Sequence, residues 1–461
     1  MSAVNNMSNN ASSEELRKKI IELVKEYYSN SAINAANDAS KFIPGVTLIP
    51  TSGKIYDSNE LINGVEAVLD GWWTEGRFAK SFADGLKNYL GVNFVSLVNS
   101  GSSANLAAFM SLTSPALGER RIKPGDEVIT VAAGFPTTIN PIVQSGAIPV
   151  FVDVDIGSYN ASIIEIEKAI TPKTKAIVLA HTLGIPYDLD AISKICKAHN
   201  LWLMEDCCDA LGAEYNGRKV GTFGDVATLS FYPAHQITAG EGGAVFTNNS
   251  AVAKLVNSVR DWGRSCYCKT GNDNTCGERF NQQHGNLPFG YDHKYVYANL
   301  GYNLKMSDMQ AAIGLAQLSK IQDFIALREK HFKNLYSFFE EYQDKFYLPI
   351  VNKNSKPSYF GFLLTIKEHA GFSRNDIVKY LDEHKIATRL LFSGNVTKQP
   401  YFIDGNVKYR VASNLLNTDL VMSNTFWIGV QPNLSDYMLD YVKSTFKNFL
   451  EEKSLEDKDA G

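Results

Sequence analysis

Leu229-Ser230-Phe231-Tyr232-Pro233-Ala234-His235-Gln236-Ile237-Thr238-Ala239-Gly240-Glu241-Gly242-Gly243 organises the reading of this chain. It begins in one apolar run, residues 227–231, and ends at the start of another, residues 243–247. Between them lies a turn carrying His235. Imidazole exchanges protons near neutral pH, so this residue is the first candidate for chemistry. Further apolar, β-branched runs at 94–98, 127–130, 148–152, 176–180 and 202–205 read as strands. Helical patterns at 103–110, 141–145, 163–170, 188–199 and 251–262 alternate with them. Such alternation predicts an α/β fold with a mostly parallel sheet covered on both faces.

Outward from that core, residues 14–49 read as a helical lead-in and an extended arm, and 307–342 as one long helix joining two domains. Beyond about Asp344, strands at 360–366 and 386–391 mix with helices at 375–383 and 436–451. They predict a small α+β C-terminal domain. The expected division is an N-terminal helix and arm over 1–65, a large domain over 66–325, and the small domain over 326–461. The charged tail 454–461 is expected to fray.

The chain has 461 residues, 44% apolar and 20% charged, with a formal net charge of −4. That length supports one large core and a second, smaller one. The charge gives no reason to expect nucleic-acid or membrane-surface binding, and no apolar run reaches the roughly 18 residues of a membrane span. Residues 1–13 are polar and lack the regions of a signal peptide, so a cytoplasmic location is expected.

Three other segments carry candidate chemistry. Val98-Asn99-Ser100-Gly101-Ser102-Ser103 follows a strand and opens a helix, where free N–H groups suit a phosphate, although a plain strand–turn–helix joint reads the same. Leu203-Met204-Glu205-Asp206-Cys207-Cys208-Asp209 ends a buried strand in carboxylates. One of these could keep a pyridinium nitrogen protonated; a solvated strand end or a helix cap is the alternative. The six cysteines do not suggest a disulfide framework. Cys208, Cys266, Cys268 and Cys276 could supply four thiolates from two segments. The Cys-x-Cys step fits zinc poorly, which leaves an iron–sulfur cluster, zinc or unligated thiols open. Cys196 and Cys207 read as bystanders.

The segment around His235 resembles the cofactor-lysine segment of the nucleotide-sugar aminotransferases, the fold-type I pyridoxal-phosphate family acting on keto-sugars. That family carries a lysine at this position. The resemblance implies phosphate contacts from Gly101, Ser102 and Ser230, a ring-stacking Phe135, and Asp206 on the pyridine nitrogen. It also implies that Asn303, in Gly301-Tyr302-Asn303, reaches the neighbouring subunit's phosphate, making the working unit a homodimer. Three departures surround the cofactor position: His235 for lysine, Asp209 where aminotransferases have His or Gln, and Tyr232 where they often have His. Histidine cannot form a stable imine, so transamination is disfavoured.

Histidine combined with this cysteine spacing resembles the iron–sulfur 3-dehydrases of 3,6-dideoxyhexose (O-antigen) biosynthesis, whose type substrate is CDP-4-keto-6-deoxy-D-glucose. The resemblance implies pyridoxamine phosphate, a [2Fe-2S] cluster on the four cysteines, and a separate NADH-dependent flavin/iron–sulfur reductase. The expected reaction is C3 dehydration and reductive deoxygenation of a nucleotide-linked 4-keto-6-deoxy sugar, with His235 moving the proton. The rival expectations are an iron-free pyridoxamine-phosphate 3-dehydratase and a true sugar aminotransferase. Arg389, Lys398 and Arg410 are candidates for the substrate diphosphate, with solvated surface charge as the alternative.

Overall fold

Apolar runs of five to seven residues become the central strands, because both faces of the sheet are covered and polar alternation is not needed. The computed structural model describes residues 12–31, 41–268, 271–412 and 414–459. Parts of the expected N-terminal arm and the last two residues of the tail lie outside them. The strands are β1 Phe94–Val98, β2 Glu127–Val131, β3 Ile148–Val152, β4 Thr174–Ala180, β5 Trp202–Asp206, β6 Glu214–Tyr215, β7 Arg218–Lys219, β8 Val226–Ser230, β9 Gly243–Thr247, β10 Phe346–Tyr347, β11 Ser355–Lys356, β12 Gly361–Ile366, β13 Arg410–Val411 and β14 Thr425–Gly429.

Eight of them form one sheet in the order β1-β9-β8-β5-β4-β2-β3-β13. Only β9 runs antiparallel to its neighbours; every other pairing is parallel. Every residue of β2, β5, β8 and β9 is buried. Because β2, β4, β5 and β8 run parallel, their C-terminal ends and the following turns meet at one edge, where open α/β sheets bind ligands. The expected α/β fold with a large, mostly parallel sheet is thus present.

A second sheet, β10-β12-β14, is antiparallel. Phe332, Phe339, Phe362, Phe426 and Phe446 build a largely aromatic core between it and the helices Ile321–Phe339 and Asp436–Asp459. A third, small sheet, β11-β6-β7, and the strand β13, which forms the edge of the large sheet beside β3, join C-terminal residues to the earlier part of the chain.

Two expected elements take another form. The single helix over 307–342 is two helices, Asp308–Leu318 and Ile321–Phe339, with a short 3-10 turn after the second. At the joint, Lys320 reaches the buried Glu60 at 2.6 Å and Asp57 at 3.0 Å, which fixes the chain where its direction changes. Residues 386–391 form no strand. Ile386 bridges to Ile49 and Arg389 to Trp427, so the segment divides its pairing between two partners and no ladder develops. The expected fraying of the tail does not begin at Ser454, because the last helix continues to Asp459.

Candidate active site

Gly101 opens the helix Gly101–Ser111 directly after β1, and Ser230 closes β8 beside it. A Cβ on Gly101 would lie 2.5 Å from Ser230 Cβ and 2.7 Å from its Oγ, so only glycine lets the helix end approach this hydroxyl. Ser100 caps the helix through Ser103 N at 3.0 Å, leaving the first-turn N–H groups of Gly101 and Ser102 without an intrahelical acceptor. Ser102 is exposed. The result is a small cradle of N–H and hydroxyl donors suited to a dianionic phosphate.

Asp206 ends β5 and is buried. Its Oδ2 accepts from Asn105 Nδ2 at 2.8 Å and Thr138 Oγ1 at 2.6 Å; its Oδ1 accepts from the Cys208 N–H at 3.1 Å. Thr228 Oγ1 steadies Asn105 from β8 at 2.7 Å. Among the described residues this carboxylate has no cationic partner. A buried anion held by neutral donors alone is incomplete, and a protonated ring nitrogen would complete it. Phe135, a core phenylalanine on a sequence reading alone, is instead 49% exposed beside Phe392, with its ring free to take a planar group.

His235 follows the β8 turn, its N–H bonded to Tyr232 O at 3.0 Å. Its Nδ1 lies 3.3 Å from Asp209 Oδ1, both side chains being largely shielded. The two are at ion-pair distance without an aligned hydrogen bond, so Asp209 can steady the ring most when it is protonated. Phe360 packs on the imidazole with centroids 5.3 Å apart. Tyr232 is half exposed at the same turn. Asn303 is exposed and makes an isolated bridge to Asp261.

The cysteines separate into two groups. Cys266, Cys268 and Cys276 line one pocket with Asp273, Arg279, His293 and Lys294. Thr275 donates to Cys268 through its N–H at 3.4 Å and its hydroxyl lies at 3.0 Å, holding that thiol below its ordinary range, whereas burial pushes Cys266 up. His293 Nδ1 lies 4.0 Å from Cys276 Sγ, with its Nε2 3.2 Å from Ser265 Oγ. Cys208 stands apart, beside Asp206, Asp209 and Cys207, and burial raises its pKa well above the usual thiol value. The four expected ligands are thus three and one. The loop's neck is closed by antiparallel bridges Asp261–Asn303 and Arg264–Tyr297 and by the bond from Ser265 N to Val296 O at 2.8 Å.

Of the three cations considered for a diphosphate, two are committed elsewhere. Arg410 binds Glu127 at 2.8 Å and Ala169 O at 2.7 Å, and Lys398 binds Asp419 at 2.8 Å. Among the described residues, the Arg389 guanidinium donates only to Thr388 O, at 2.8 Å. Asn105, Thr138, Gln236, Arg328 and Phe360 escaped sequence reasoning. Arg328 alone left a trace there, as a charge amid the apolar face of Phe324, Ile325 and Phe332.

A fold of this kind, with a helix N-terminus beside Ser230 and a buried carboxylate held by neutral donors, fits a vitamin B6-type enzyme. Residues 56–447 match the DegT/DnrJ/EryC1/StrS aminotransferase family, and the chain belongs to it. It is similar to the lipopolysaccharide biosynthesis protein RfbH of Salmonella typhimurium, 55% identical over 434 residues, covering 94% of this chain and 98% of that one. It is 47% identical over 440 residues to the dTDP-4-dehydro-2,6-dideoxy-D-glucose 3-dehydratase of Saccharopolyspora spinosa, covering 95% and 93% of the two chains. The solved structure of E. coli GDP-4-keto-6-deoxy-D-mannose-3-dehydratase with bound hydrated PLP superposes with a TM-score of 0.76 at 27% identity, covering 87% of this chain and 99% of that one. Among the described residues, no helix is long and apolar enough to cross a membrane.

Proposed function

We propose that the chain is a pyridoxamine-phosphate-dependent 3-dehydratase acting on a nucleotide-linked 4-keto-6-deoxy sugar. The observation that carries this reading is an imidazole, rather than a primary amine, at the end of the β8 turn, paired with Asp209. Relatives bearing the names of 3-dehydratases support it. Gly101, Ser102 and Ser230 would hold the cofactor phosphate, Phe135 and Tyr232 would flank the ring, and Asp206 would pair with its nitrogen. Asn303 would reach the phosphate across a homodimer.

Pyridoxamine phosphate, when bound, supplies an amine that condenses with a ketone and a ring that accepts an electron pair. His235 moves the proton of the carbon bearing that amine. Its Nδ1 lies within ion-pair distance of Asp209, so Nε2 is the atom available to take the proton, and Asp209 stabilises the imidazolium that results. Asp206 keeps the ring nitrogen protonated throughout. His235→Asn should retain fold and cofactor binding and lose turnover by roughly 10²–10⁴-fold, because an amide is not a base. Wild-type turnover in that variant, or amino-sugar formation from glutamate by the native protein, would overturn the reading.

A second reading adds a [2Fe-2S] centre and an NADH-dependent reductase to the same dehydration. Three cysteines sharing one pocket favour it. Such a centre, when bound, would relay one at a time the two electrons that reductive removal of oxygen consumes. Cys208 would have to join the loop thiols, and the reading stands or falls with that residue. Cys266→Ser should lose iron and visible absorption yet keep His235-dependent proton exchange, and Cys196→Ser should keep both. Absence of iron and of an EPR signal in anaerobically purified protein would leave the iron-free dehydratase alone.

A further inference from the structure

Arg328 is the largest fully buried side chain among the described residues, and it forms no ion pair there. Its guanidinium donates to four carbonyls. Nη1 reaches Tyr359 O at 3.3 Å and Phe360 O at 3.2 Å; Nη2 reaches Ala234 O at 3.5 Å and His235 O at 3.2 Å. Burying a charge without a counter-charge is costly, and burial pushes this arginine down to about 10, with Asp209 acting in the opposite direction. A residue kept at that cost is kept for what it holds.

What it holds is specific. One side of the fork grips the turn that carries His235, and the other grips the chain entering β12, whose Phe360 ring rests on the imidazole. Gln236 ties the same turn to Asp209 O and to Ser358 O, the latter at 3.0 Å. Phe360 N in turn donates to Leu183 O at 3.0 Å. Base, carboxylate and ring are thus drawn from three segments far apart in sequence, and Arg328 spans two of them. Only the planar fork of arginine presents donors in both directions; a lysine ammonium offers three donors from a single point.

We infer that Arg328 is a positioning residue for proton transfer, clamping the His235 turn to the chain entering β12 so that Phe360 and Asp209 hold the imidazole in one orientation. The inference rests on His235 being the proton-transfer group. It is tested with protein loaded with pyridoxamine phosphate and assayed on CDP-4-keto-6-deoxy-D-glucose. Arg328→Lys keeps the charge but loses the fork. It should lower kcat about 10²-fold, the usual penalty for a reacting group displaced by about 1 Å. KM should stay within about threefold, since substrate binding is not touched. Phe360→Leu, which removes the ring contact and leaves the carbonyl in place, should lower kcat by about tenfold in the same pattern.

Leu450→Ala, in the small core away from the site, serves as the control for lost stability. It should lower Tm and leave kcat per folded molecule unchanged. Unchanged kcat in Arg328→Lys overturns the inference, as does a loss no greater than its unfolded fraction explains. If Arg328→Lys does not fold, Phe360→Leu decides: a lower kcat at constant KM supports the clamp and an unaltered kcat overturns it. His235→Asn separates the two levels. Full turnover there removes the proton-transfer reading itself, whereas its loss beside intact Arg328 and Phe360 variants removes only the clamp.

Discussion

On the proposed reading, a single residue decides which half of the family's chemistry is open to this chain. Lysine at the β8 turn would serve as both nucleophile and base; histidine keeps only the second role. His235, Asp206 and Gly101 were legible because each lies in a short local motif. Asn105 and Thr138, which hold Asp206, were not, since they stand 101 and 68 positions from it and look like ordinary helix-start residues. The cysteines also divide by environment rather than by spacing. Thr275 stabilises the Cys268 thiolate, while burial pushes Cys196 up to about 12 and raises Cys207 well above the ordinary value. In iron-free protein, Cys268 should therefore be alkylated first and at the lowest pH, with Cys196 and Cys207 reacting only on unfolding. Peptide mass spectrometry after timed iodoacetamide exposure across pH checks this. Uniform labelling of the loop cysteines with the pH dependence of a free thiol would contradict it.

At the scale of elements, the five- to seven-residue strands were legible because burial on both faces leaves an unbroken apolar run. The two-residue strands β6, β7, β10, β11 and β13 are too short to carry any periodicity. The break near Lys320 was missed for a related reason: a helical pattern continues through it, and the ion pairs that fix it come from Asp57 and Glu60. The joint between β1 and its helix gives the sharpest element-scale test. Gly101→Ala would place a methyl group 2.5 Å from Ser230 Cβ, so the helix end must retreat. Overpacking of this kind costs about 1–3 kcal/mol. The variant should melt earlier and bind pyridoxamine phosphate more weakly than pyridoxamine, as the phosphate cradle is what opens. Equal weakening of both ligands, measured by titration calorimetry, would place the damage elsewhere.

Across the whole molecule, the C-terminal part of the chain is tied to the large sheet by contacts that composition cannot reveal. Arg410 at the edge strand β13 pairs with Glu127 at the start of β2. Burial acts to raise the Glu127 pKa, but hydrogen bonds from Arg410 and Thr171 outweigh it and hold it below the ordinary value. A folded pKa below the unfolded one adds stability above about pH 4.3, and that contribution fades as pH falls through the folded value. Arg410→Met should therefore lower Tm at pH 7, with the difference shrinking as pH falls below about 4.3. Thermal melts across pH test this; a constant difference down to pH 3 would refute it. The cysteine loop has a different bearing on the whole. Its neck closes at Asp261–Asn303 and Arg264–Tyr297, so residues 265–296 hang from a fastening that already completes the fold. The entropy of closing such a loop grows only logarithmically, about 0.6 kcal/mol for each doubling of length. Lineages sharing this architecture can therefore acquire, reshape or discard the appendage at small thermodynamic cost, and the ancestry of the loop need not be that of the scaffold that carries it.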